Sequence, residues 1–241
     1  MGIGLSLDAA WQVARVSIPT VIESIKGDVS RDVCDRRLRQ FAENIVSHAR
    51  IRLDVRGVDR VPTDRSLIYM SNHQSHMDIP VLYATMPSPT VRMVAKKELF
   101  RIPIFGQAMI AADMVRVDRS SRQEAIASLR RASALIDSGV SLWIAPEGTR
   151  SRDGKIGPLK KGGFHLAIDT GTPIVPVAIV GTRNILPPGS IRTRPGQTVR
   201  VTFGAPIPVD GETVDSLMRK VDAFLREHVE GSAARDPGDA V

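Results

Sequence analysis

Apolar positions in the first 50 residues recur with a helical period. Leu7, Trp11, Ala14 and Ile18 stand at i, i+4, i+7 and i+11, up to Pro19, where the pattern predicts an interruption. Leu38, Phe41, Ala42, Ile45 and Ala49 repeat the spacing, in a second helix whose other positions are rich in Arg. Basic amphipathic helices of this kind suit two settings, a membrane interface or the cover of a core, and the period is the same in both.

From residue 51 the rhythm changes. Ile51, Leu53 and Val55 alternate with polar residues, as in a half-exposed strand. Short apolar runs follow at Leu67–Met70, Val91–Ala95, Met114–Val117, Leu142–Ala145 and Ile174–Val180, and Val199, Val201 and Phe203 alternate again. A helix is predicted through Ala125, Leu129, Ala132 and Ile136, closed by Gly139, and another through Val214, Leu217, Met218, Val221 and Leu225. Strands interleaved with helices predict an α/β fold: a mixed, largely parallel sheet flanked by helices and preceded by an amphipathic helical element. The expected division is residues 1–50 as that element, 51–230 as one domain, and 231–241, small and polar, as a disordered tail.

Charge narrows the partners. Lys and Arg number 33 against 26 Asp and Glu, a formal +7 that suits phospholipid headgroups or phosphorylated substrates. Nucleic acid fits less well, because only 4% of residues are aromatic and no basic run is interleaved with them. The single cysteine, Cys34, excludes an intrachain disulfide; its charged neighbourhood predicts a lightly packed thiol. No stretch holds 18 uninterrupted apolar residues, and the N-terminus lacks the basic opening of a signal peptide, so any membrane contact is expected to be peripheral or monotopic.

The segment Ser71-Asn72-His73-Gln74-Ser75-His76-Met77-Asp78 lies between a predicted strand and a helical run, at a strand end, where α/β sheets place ligands. On one regular helix, residues five apart diverge by roughly 140°. His73 and Asp78 therefore meet only if His73 lies in the loop and Asp78 reaches back from the first helical turn, with Ser75 as N-cap. A carboxylate on one ring nitrogen leaves the other free to take a proton from an alcohol. No G-x-S-x-G elbow supplies a serine, so a hydroxyl activated here would belong to a substrate; an ordinary loop histidine beside a capping carboxylate is the plainer alternative. His76 has no further ligand cluster with which to hold a metal, and none is expected.

Ile144-Ala145-Pro146-Glu147-Gly148-Thr149-Arg150 also follows an apolar run. Pro146 and Gly148 force a turn, and Arg150 and Arg152 offer guanidinium forks suited to phosphate. Glu147 is expected to pair with an Arg or to bond a substrate hydroxyl. Asp118-Arg119 supplies another strand-end guanidinium, and Lys160-Lys161-Gly162-Gly163 opens a helix.

In order, these pieces resemble the 1-acylglycerol-3-phosphate (lysophosphatidate) acyltransferase family over roughly residues 45–210. Its Asn-His-x-x-x-x-Asp motif is intact as Asn72, His73 and Asp78. Its Pro-Glu-Gly-Thr-Arg motif is intact as Pro146 through Arg150. Pro176 within Ile174-Val175-Pro176-Val177 and the stretch Ile102-Pro103-Ile104-Phe105-Gly106 are also similar. The second motif departs: Asp113 and Arg116 stand where the family usually has a glycine and an aromatic, while Arg119 is retained.

The resemblance implies that His73, supported by Asp78, deprotonates an acceptor hydroxyl that attacks the thioester of acyl-CoA or an acyl-carrier protein. It implies an acceptor phosphate held by Arg119 and Arg150, a pocket shaped by Glu147, Gly148 and Thr149, and substrate contact by Asn72. It further implies phosphatidic acid as product, no cofactor besides the acyl carrier, and work on an anionic membrane surface, on its cytoplasmic side. Another lysolipid or glycerol 3-phosphate as acceptor, or a non-catalytic membrane-surface module, remain the alternatives.

Overall fold

The structure is a computed structural model, and it describes residues 4–27, 29–118 and 122–233. Two helices come first, α1 (Gly4–Lys26) and α2 (Arg31–His48). Then β1 (Arg52–Arg56), β2 (Ile68–Ser71), α3 (Asp78–Thr85), β3 (Val91–Lys96), α4 (Phe105–Ala111), β4 (Val115–Val117), α5 (Arg122–Asp137) and β5 (Ser141–Ile144) follow. The described residues continue with α6 (Gly162–Thr170), β6 (Ile174–Val180), α7 (Thr182–Ile185), β7 (Thr198–Phe203) and α8 (Val214–Ala233).

The strands form one sheet in the order β1-β7-β6-β2-β5-β3-β4. Neighbours are parallel except β6 and β7, which agrees with the mixed, largely parallel sheet expected from the alternation of runs and helices. Central strands are buried on both faces, and so read as continuous apolar runs. One core layer joins Ile45 of α2 and Leu82 of α3 to Trp143 of β5; the other places Phe164, Leu217 and Leu225 on the opposite side of the sheet.

Three expectations need correction. Pro19 does not end α1, which runs on to Lys26. The ring removes one helical N–H, and Thr20 Oγ1 bonds back to Val16 O at 2.7 Å, holding the turn together. Cys34 is buried, its Sγ directed at Ala111 O, and burial pushes its thiol pKa up. Residues 231–233, expected in the tail, belong to α8, which continues to Ala233; the remaining expected tail, 234–241, lies outside the residues described.

The helical element is not separable from the sheet domain. Ala42 and Ile45 of α2 and Ala49 just after it are buried, and Ile45 and Ala49 belong to the core layer that also holds Leu82. Asp35 of α2 also pairs with Arg92 of β3, a guanidinium with no exposed surface, whose Nε and Nη2 lack partners among the described residues. By contrast α1 is inverted. Its inner face carries Gln12, Ser17 and Thr20, all buried, while Leu7, Trp11, Ile18, Ile22 and Ile25 are exposed. At about 100° per residue these five fall within roughly 60° of arc. α4, packed on α1, adds exposed Ile110, and the loop before it Ile102 and Ile104.

Candidate active site

In the strand order β6, β2 and β5 are adjacent and parallel, so their C-terminal ends lie together. His73 follows β2, Glu147 follows β5 and Thr182 follows β6. Residues up to about 110 positions apart in sequence therefore meet on one edge of the sheet, the usual place for ligands in such folds.

His73 Nδ1 lies 2.7 Å from Asp78 Oδ2, the pairing anticipated from the loop-to-helix reading. The carboxylate also accepts from the backbone N–H groups of Gln74 (2.7 Å) and Ser75 (2.9 Å) through Oδ2, and from Thr182 Oγ1 (2.5 Å) through Oδ1. Asp78 is completely buried, and the His73 side chain keeps 20% of its exposure. With Nδ1 donating to Asp78, the lone pair sits on Nε2, which has no partner among the described residues and is placed to accept a proton. The local cap differs from the one predicted. The N-cap is Met77, and Ser75 Oγ donates to Leu186 O while accepting from Met77 N–H.

The Pro146–Arg150 segment brackets the His73 loop. Glu147 accepts from the His73 N–H through Oε1 (3.0 Å) and from the Gly157 N–H through Oε2 (2.9 Å), and the Ser151 N–H donates to His73 O (2.7 Å). Both oxygens of Glu147 are thus taken up by backbone amides, in place of the expected Arg or substrate hydroxyl. Burial raises its pKa, while the amides of Gly157 and His73 oppose that rise. Gly148 turns the chain at φ 70, a left-handed conformation that glycine adopts without strain. Thr149 is exposed, and Arg150 has no hydrogen-bond or ion-pair partner among the described residues. His76 has a lowered pKa, first from desolvation and then from the Arg150 guanidinium and His73.

Asn72 contradicts the role expected of it. It is fully buried, with Nδ2 donating to Ile179 O (2.8 Å) and Oδ1 accepting from Ile179 N–H (2.7 Å). A side chain whose donor and acceptor are both used on a neighbouring strand holds the loop and does not reach substrate. Arg119 lies outside the described residues. Asp118 pairs with Lys97 at 2.9 Å. Asp113 has φ 56, a left-handed backbone that Asp is among the few residues besides glycine to tolerate. Its carboxylate faces Arg31 at 3.7 Å, and Arg116 is exposed on β4.

Sequence reasoning missed two neighbours of the base. Thr182 has no fixed spacing to His73 by which to be found. Trp143, buried, sets its ring edge-to-face with that of His73 (centroids 6.5 Å apart) and donates Nε1–H to Ser71 Oγ at 2.9 Å. Beside Pro146 opens a largely apolar cavity of about 290 Å³, lined among others by Val117, Leu129, Ala132, Ile144 and Lys160. No cluster of three or more His, Cys, Asp or Glu side chains able to hold a metal converges among the described residues.

The chain is similar to several known proteins. The chain is similar to the 1-acyl-sn-glycerol-3-phosphate acyltransferase of Limnanthes douglasii, 40% identical over 165 residues, covering 68% of this chain and 57% of that one. It is 38% identical over 157 residues to the chloroplastic enzyme BAT2 of Brassica napus, covering 65% and 45%. The human alpha enzyme is 33% identical over 173 residues, covering 71% and 60%. The chain thus spans about half the length of the curated relatives it matches. Among solved structures, the 1-acyl-sn-glycerophosphate acyltransferase PlsC of Thermotoga maritima superposes with a TM-score of 0.81 at 28% identity, covering 96% of this chain and 95% of that one. Residues 52–180, more than half of the chain, match the acyltransferase family, and the chain belongs to it.

Proposed function

We propose that this chain transfers a fatty acyl group from acyl-CoA or an acyl-carrier protein to the free hydroxyl of 1-acylglycerol 3-phosphate, forming phosphatidic acid. The observation that carries the reading is the 2.7 Å contact between His73 Nδ1 and Asp78 Oδ2, with Nε2 left open. Nε2 takes the hydroxyl proton as the oxygen attacks the thioester carbon. The tetrahedral intermediate expels the thiolate, which leaves with the proton carried by the imidazolium. Asp78 holds the ring in the required tautomer and supports its positive charge. The reaction so written needs no cofactor beyond the acyl carrier.

Arg150 is the anchor for the acceptor phosphate, since its guanidinium is not engaged elsewhere among the described residues. Arg119 is the second anchor by the same reasoning from the motif, with Gly148 and Thr149 shaping the turn between. The apolar cavity beside Pro146 is suited to an acyl chain. The outward apolar faces of α1 and α4 suit peripheral or monotopic contact with the anionic, cytoplasmic side of a membrane, where the lipid acceptor would be met. Among the described residues no helix is long and apolar enough to cross one.

A thiol-release assay of purified protein with acyl-CoA, with and without 1-acylglycerol 3-phosphate, tests the reading. Release that depends on acceptor, and is lost in a folded His73→Ala protein, is expected. Full activity of that variant would remove His73 as base. Equal turnover of lysolipids without phosphate would remove the Arg150 anchor.

A further inference from the structure

We propose that Thr182 is a positioning residue for acyl transfer: its hydroxyl fixes the plane of the Asp78 carboxylate and, through it, the aim of His73. This rests on the reading of His73 as the base. The two oxygens of Asp78 are not treated alike. Oδ2 receives His73 Nδ1 and the N–H groups of Gln74 and Ser75, whereas Oδ1 has one side-chain donor, Thr182 Oγ1 at 2.5 Å. A carboxylate turns about a soft, two-fold torsion. Held through one oxygen only, it can pivot and carry the Nδ1 bond with it, while a second anchor on the other oxygen removes that freedom.

The surroundings of Thr182 are built to deliver that hydroxyl. It has no exposed surface, so the side chain serves nothing outside the protein. Gly181, just before it, has φ 104, and a Cβ there would lie 2.3 Å from Thr198 O, so only glycine lets the chain leave β6 on this path. The turn then closes by the Leu186 N–H donating to Thr182 O (3.1 Å), and Leu186 O accepts from Ser75 Oγ (2.7 Å). Residues 182–186 thus grip the 73–78 loop at two places, one of them the carboxylate. A threonine hydroxyl facing a carboxylate can only donate, and a valine of the same shape leaves Oδ1 buried without this donor.

Steady-state kinetics with acyl-CoA and 1-acylglycerol 3-phosphate on the full chain decide the matter, using wild type, T182V, T182A, T182S and H73A, each checked for folding by thermal melting. T182V is expected to lose at least about tenfold in kcat, the scale of one hydrogen bond to a charged group. KM for both substrates should stay within about twofold, and T182S should recover most of kcat. Should T182V not fold, T182A is judged by the same figures. Wild-type kcat in folded T182V or T182A beside an inactive H73A overturns the role. So does a loss that only tracks the unfolded fraction and that T182S fails to restore. An active H73A removes the base, and this role with it.

Discussion

The side-chain amide of Asn72 is clamped by the backbone of one residue on the neighbouring strand, Ile179, its Nδ2 on the carbonyl and its Oδ1 on the N–H. It extends the β2–β6 ladder by one side chain beyond Ser71, and His73 starts from that fixed point. Asn72→Asp replaces the donor with an oxygen facing a buried carbonyl. A loss of about 2 kcal/mol or more in denaturant unfolding is expected, with lower kcat and an unchanged acceptor KM. A raised KM at unchanged stability would return Asn72 to the substrate.

Glu147 fixes the same loop from the β5 side. Glu147→Gln turns one of its two acceptors into an amide NH2 that faces a backbone N–H. The expected result is a fall of at least about tenfold in kcat, from loss of about one charged hydrogen bond, with a lowered Tm. Wild-type kcat in the folded variant would show that the bracket is dispensable.

Asp35 and Arg92 tie α2 to β3. Removing the carboxylate strands a guanidinium that has no exposed surface. Asp35→Ala should cost about 3 kcal/mol or more in chemical denaturation, the scale for breaking a buried pair. A change below about 1 kcal/mol, the value of an exposed pair, would show the link to be incidental.

The outer face of α1 predicts lipid binding. Ile22→Glu with Ile25→Glu takes two exposed side chains out of an apolar arc without touching the core. Full burial of two such side chains contributes roughly 3–6 kcal/mol. Sedimentation with anionic phospholipid vesicles should show at least about tenfold weaker binding, with an unchanged melting curve. Equal binding by the double variant would place the contact elsewhere.

His76 gives a pH dependence whose sign follows from its lowered pKa. A histidine depressed on folding favours the folded protein when neutral. Its contribution is full above the ordinary imidazole value of about 6.5 and is lost as pH falls through the lower folded value. His76→Asn should therefore lose less Tm than wild type on acidification below about pH 6.5. Parallel Tm curves for the two proteins would contradict this.

Apolar period and motif spacing were enough to place the strands, the helices α5 and α8, and the His73–Asp78 pair, because each depends on neighbours within a few residues. The alternation of strand and helix likewise determined a largely parallel sheet. What lay beyond the sequence were the partners chosen by strand order. Thr182, Glu147 and Ile179 reach the 72–78 loop only because β6, β2 and β5 are adjacent and parallel, and no local pattern encodes adjacency. The same holds for α1: its period revealed an apolar stripe, but which way the stripe faces was decided by the packing of Gln12, Ser17 and Thr20 inward. Asn72 and Glu147 were visible as motif residues, while their use on backbone groups became evident only when the strands that supply those groups were in place.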